Sequence, residues 1–151
     1  MKIFMIIIFL VCVVNFGYSQ QRNRNESRMV GFGCYKVGEP TKAVVKVTTL
    51  LNGRNYEAIA SLLDAENPAE RCLAVIALER LVQLTKFELT EAQSNLISKA
   101  KNSQRIVWVC SGCTYFDRVT MQKMFSKDNF LGSQFWLDDV IGNSNKDTSK
   151  K

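Results

Sequence analysis

Histidine is absent from this chain. That absence excludes Ser-His-Asp and Cys-His catalysis, histidine general-base chemistry and histidine metal ligation. Proline is scarce, with two residues at Pro40 and Pro68. Long apolar runs are also lacking: the longest, Ile3 to Val14, falls short of the ~20 residues that a membrane-spanning helix needs. The eight glycines build no phosphate-binding loop, because no G-x-G-x-x-G precedes a helix and no Gly-Lys-Ser/Thr follows one. A basic face with interleaved aromatics is missing too. The net charge of +6 is concentrated at Arg22, Arg24 and Arg28 and at Lys146, Lys150 and Lys151, while the residues between are close to neutral. Nucleic acid is therefore not an expected partner.

What is present begins with an export signal. Lys2 supplies a short positive start, Ile3 to Val14 the apolar stretch, and Gly17 and Ser19 the small residues a signal peptidase reads. Residues 1–19 are thus expected to be removed, so that the mature chain begins at Gln20 and is secreted or periplasmic. No stable membrane insertion is expected after cleavage. What remains suits one domain. Residues 20–33 are expected to form a disordered or extended leader, 34–141 a helical domain, and 142–151 a disordered polar tail. Asn25-Glu26-Ser27 matches the glycosylation acceptor pattern, which has meaning only in a eukaryotic secretory pathway.

The domain is organised around Asn67 to Lys86. Asn67 caps the amino end, Pro68 suits the first helical position, and Glu70 is placed to complete a capping box. At ~100° per residue, Leu73, Ala77, Leu81 and Leu84 share one face. Cys72, Glu79, Gln83 and Lys86 fall opposite, which predicts a reachable thiol at Cys72. Ala74, Val75, Ile76, Leu78 and Val82 make the flanks apolar, so neighbours are expected on several sides. Further helices are predicted from Pro40 to Leu51, from Asn55 to Asp64, and from Thr90 to Asn102, the last opened by a Thr90–Gln93 capping box. Arg105 to Cys110 reads as extended. A short helix follows from Thr120, carrying Met121, Met124 and Phe125. The aromatic-rich segment Phe130 to Ile141 is expected to cap the open end of the core. The fold class expected is mainly α: antiparallel helices, HEAT-like or bundle-like, with a short extended segment around the C-x-x-C loop.

Leu62-Leu63-Asp64, followed by Asn67-Pro68, Arg71, Ala74, Ala77-Leu78 and Leu81, resembles the consensus of a HEAT repeat over about residues 55–84. The resemblance implies a helical hairpin whose turn carries Asp and Pro and is met by the Arg. It also implies a protein-binding or scaffolding role without catalytic residues or cofactor. Cys110-Ser111-Gly112-Cys113 resembles the thioredoxin-like dithiol. That resemblance implies Cys110 as attacking thiolate and Cys113 as resolving thiol, although no proline follows Pro68 to supply the family's cis-proline. A zinc site would need Cys34 and Cys72 as the remaining ligands, and no metal is expected. Cys34, Cys72, Cys110 and Cys113 are instead candidates for structural disulfides, with either a Cys110–Cys113 loop or a bond tying Cys34 to the carboxyl-terminal half. Ser111 has no base to activate it, and the adjacent Asp138 and Asp139 make no acid/base pair. The expected function is that of an exported, non-catalytic module that binds protein or serves a structural role. A thiol–disulfide protein using Cys110 and Cys113 is the alternative.

Overall fold

The computed structural model describes residues 26–126 and 130–143. The expected signal of residues 1–19, residues 20–25 of the expected leader and residues 144–151 of the expected tail lie outside them. The elements in chain order are β1 (Met29–Val30), α1 (Lys42–Asn52), α2 (Tyr56–Ser61) with a 3-10 turn at Leu62–Asp64, and α3 (Pro68–Gln83). They continue with α4 (Glu91–Lys101), β2 (Ile106–Ser111), β3 (Tyr115–Thr120), α5 (Met121–Phe125), a 3-10 turn at Phe130–Gly132, and α6 (Ser133–Asn143).

The fold is α+β, which corrects the expectation of a mainly α domain with only a short extended segment around the C-x-x-C loop. A three-stranded mixed sheet, in the order β1-β2-β3, packs beside the helices. β1 runs parallel to β2, pairing Met29 with Trp108 and Val30 with Val109. β2 and β3 form an antiparallel hairpin that pairs Ile106 with Thr120 at one end and Ser111 with Tyr115 at the other. The physical reason for the miss lies in β3. Its residues Tyr115 to Arg118 are exposed and only Val119 is buried, so the sequence carries no apolar alternation to announce a strand. β1 comes from within the expected leader. Two residues of sheet suffice because Met29 and Val30 are both buried.

α3 is the helix around which the rest is built. Ala69, Cys72, Leu73, Ala74, Val75, Ala77, Leu78 and Leu81 have no exposed surface. The helix is covered by α1, α2, the turn after α2, α4, α6 and the first two strands. Burying each of its large aliphatic side chains contributes about 1.5–3 kcal/mol. Asn67 caps it through Oδ1, which accepts from the Ala69 amide at 3.0 Å. Glu70 does not close a capping box; its carboxylate meets Lys46 Nζ at 2.8 Å instead. Cys72 is a second correction. Within the predicted polar stripe Cys72 itself is buried under α5, its Sγ 3.6 Å from Met124 Sδ. The remaining polar groups of α3 reach outward, Glu79 to Lys101 and Arg80 to Asp138, each at 2.7 Å.

Local signals account for most helix ends. Asn55 caps α2 by accepting from the Ala58 amide, and Thr90 with Gln93 forms the expected capping box on α4. Pro40 lies two residues before α1 rather than in its first turn. Thr41 takes the cap position, but its hydroxyl donates to Met29 O at 2.8 Å. α1 and α3 both end in a residue of left-handed backbone, Arg54 (φ 52°) and Thr85 (φ 53°). In each case paired backbone bonds close the turn, from Arg54 to Leu51 and Asn55 to Leu50, and from Thr85 to Val82 and Lys86 to Leu81.

Candidate functional site

Alternation along β2 divides the sheet into two faces. Val107 and Val109 point into the helical core with Val30. Trp108 and Cys110 point the other way and join Met29, Cys34 and Tyr35 in a second, smaller cluster. At its centre is the Cys34–Cys110 disulfide, with a Cα–Cα distance of 5.7 Å and 76 residues between its ends. Of the pairings open to the sequence, the one that ties Cys34 to the carboxyl-terminal half is formed.

The segment carrying Cys34 is laid against the hairpin by backbone bonds. The Gly112 amide donates to Gly33 O at 2.8 Å, and the Tyr35 amide to Gly112 O at 3.0 Å. Cys34 and Glu39 exchange both of their amide–carbonyl bonds, at 2.8 and 3.0 Å, closing a small loop over Tyr35 to Gly38. Gly31 is fixed by the disulfide: a methyl group at that position would overlap both sulfurs.

Around the disulfide the surface is aromatic. Tyr35 and Phe116 are tilted against each other with ring centres 5.6 Å apart, and the Arg118 guanidinium lies 5.3 Å from the centre of the Trp108 ring. Tyr35 Oη donates to Glu26 Oε1 at 3.1 Å. Ile106 and Phe116 are each nearly half exposed, and Val37 at the tip of the small loop is 78% exposed. Large apolar side chains thus stand in solvent along the outer face of a sheet whose backbone the disulfide pins. The closing aromatic segment behaves otherwise, as a cap on the core. Trp136 stacks on Phe32 at 5.0 Å and donates to Thr48 Oγ1 at 2.9 Å, while Leu137 and Ile141 are buried. Of the large apolar side chains of that segment, Phe135 alone is exposed, at 76%.

The C-S-G-C motif sits at the turn of the β2–β3 hairpin, where Gly112 takes a left-handed φ of 59°. A strand follows it instead of a helix, so the thioredoxin-like arrangement is not formed. Cys110 is buried in its bond to Cys34, and Cys113 is exposed and free. Nor do the four thiols converge on a zinc position. Cys72 lies in the helical core with Met124, apart from the other three. Burial raises its pKa well above the ordinary thiol value and keeps it protonated.

A cleft of about 300 Å³ lies between α3, α5 and α6, with Ile76, Met124, Phe125 and Leu137 among its lining residues. The charged groups at its rim, Glu79 with Lys101 and Arg80 with Asp138, are paired with each other. The two carboxylates at the cleft, Glu79 and Asp138, are thereby each held by a basic partner. Arg71 reaches back from α3 to donate through Nη2 to Ala65 O at 2.6 Å, meeting the turn before the helix.

Comparison with protein-family models, with curated proteins and with solved structures finds no match to this chain. Function must therefore be argued from the site itself. Among the described residues no helix is long and apolar enough to cross a membrane.

Proposed function

We propose that the chain is an exported, disulfide-stabilised binding module that engages a protein partner through the outer face of its sheet. The observation that carries this reading is the exposure of Ile106 and Phe116 on the sheet face that bears Trp108 and Cys110, with Val37 exposed in the small loop that carries Tyr35. Apolar side chains gathered in solvent mark interaction surfaces more often than scattered ones do, and aromatic residues with Arg dominate binding energy at such surfaces. A pinned backbone lowers the entropy lost on binding. Export is supported by the Lys2, Ile3–Val14, Gly17 and Ser19 pattern together with the disulfide. The turn before α3, with Asp64, Pro68 and Arg71 on Ala65, supports a local HEAT-like hairpin within the α+β domain.

The test is affinity capture from the exported fraction with the mature wild-type chain, an Ile106→Ser/Phe116→Ser variant and a Phe135→Ser control. The expected result is a protein recovered by the wild type and the control and lost with the double variant. Recovery of the same protein by all three, or of none by the wild type, counts against the proposal.

A further inference from the structure

Three cysteines meet at the mouth of the β2–β3 hairpin, and they differ in access. Cys34 and Cys110 are joined, and neither has exposed surface. Cys113 is free and open to solvent. The backbone holds it beside the bond. Cys34 lies across from Gly112 as in a parallel ladder, and Cys113 is the next residue. Cys113 Sγ is 3.7 Å from Tyr35 O, the carbonyl of the residue after Cys34. An offset of one residue across neighbouring strands falls within the Cα separation of about 4.4–6.8 Å that disulfides span. Cys110 is three residues back around the same turn.

From this juxtaposition we infer that Cys113 is the port through which the buried Cys34–Cys110 bond is broken and remade by low-molecular-weight thiols and disulfides outside the protein. The two joined sulfurs are buried, whereas Cys113 is open to solvent and its backbone lies next to both of their strands. In the breaking direction the Cys113 thiolate attacks Cys34 Sγ. The Cys34–Cys113 bond forms, the Cys34–Cys110 bond breaks, and Cys110 leaves as a thiolate that takes a proton from water. An external thiolate then attacks the exposed Cys113 Sγ, giving a mixed disulfide and releasing Cys34. A second external thiolate attacks the outer sulfur of that mixed disulfide, which frees Cys113 and yields an external disulfide. Two external thiols are oxidised, the Cys34–Cys110 pair is reduced, and Cys113 is returned unchanged. The reverse sequence writes the bond, with an external disulfide as oxidant. This exchange site stands apart from the binding reading and does not depend on it.

The experiment follows reduction of the bond in the folded protein by glutathione, quenching in acid and mapping the cysteine peptides. Cys113→Ser is expected to slow reduction by roughly tenfold or more, because attack must then await opening of the buried cluster. Cys72→Ser is expected to match the wild type. Equal rates in the wild type and Cys113→Ser overturn the inference. Cys110→Ser and Cys34→Ser, exposed to oxidised glutathione, are expected to give Cys34–Cys113 and Cys110–Cys113 bonds respectively. Persistence of glutathione on Cys113 with neither bond formed overturns it as well. The wild type gives a readout independent of any variant. Held at mildly alkaline pH without external thiol, it is expected to show a minor bond containing Cys113, and a Cys34–Cys110 bond alone at all times overturns the relay.

Discussion

Asn67 Nδ2 donates to the carbonyl of Ser27 at 2.6 Å while its Oδ1 accepts from the Ala69 amide. One side chain thus closes the amino end of the central helix and holds the residues that lead into β1. Asn67→Ala removes both bonds and leaves an unpaired helix amide, so a loss of about 1–2 kcal/mol is expected in urea unfolding. Asn67→Asp keeps the accepting oxygen and loses only the donation to Ser27, and is expected to lie between the wild type and Asn67→Ala.

Gly31 packs against the disulfide with no room for a side chain. Gly31→Ala is therefore expected to displace one sulfur and raise the free-thiol content of the folded protein. Losing a bond between ends 76 residues apart removes about 4–5 kcal/mol in the chain-entropy description. Thiol titration beside a denaturant curve checks both consequences, and an unchanged thiol count would mean that the close approach is not a constraint.

Burial raises the pKa of Cys72 above its ordinary value of 9.0. The folded state thus holds a proton that the unfolded chain gives up. Its contribution is fully present below pH 9 and declines as pH rises above it, by about 1.4 kcal/mol per pH unit until the folded pKa is reached. Stability of the wild type relative to Cys72→Ala is expected to fall with that slope between pH 9 and 11. Native Cys72 is also expected to resist alkylation at neutral pH while Cys113 reacts.

Thr85 closes α3 in left-handed backbone, which a β-branched residue adopts at a cost. Thr85→Gly keeps the closing bonds without that strain. A gain of about 0.5–1 kcal/mol in thermal or urea unfolding is expected.

β3 is the exposed edge of the sheet, and its Arg118 amide is taken by the neighbouring Asp117 carboxylate at 2.7 Å. Edges left open recruit other strands. Asp117→Ala is expected to raise concentration-dependent self-association in sedimentation, with little change in the folded monomer.

The helices were legible because their signals are local. Asn67 and Thr90 act as caps where the sequence places them, and the apolar girth of α3 announces a helix covered on many sides. The sheet was less legible because its evidence is distributed. Val107 and Val109 alternate with Trp108, but β3 shows almost no buried face, and β1 gains its identity only from pairing with residues far along the chain. The same distance hid the site. Cys34, Tyr35, Trp108 and Phe116 come together through the parallel pairing of β1 with β2, which no local pattern encodes. C-S-G-C suggested redox chemistry from spacing alone, yet its turn is shaped by Gly112 in left-handed backbone. Cys72 looked reachable on a helical projection, but α5 covers it from outside that helix.

One particular bond pins the sheet, and the proposed export would place the chain where such a bond forms. Intact-mass and non-reducing peptide analysis of the protein recovered from the exported fraction, quenched in acid, tests this most directly. The predicted result is a chain beginning at Gln20 with Cys34 joined to Cys110 as the dominant bond and with Cys72 and Cys113 as free thiols. A chain that retains Met1 with every cysteine reduced would contradict it.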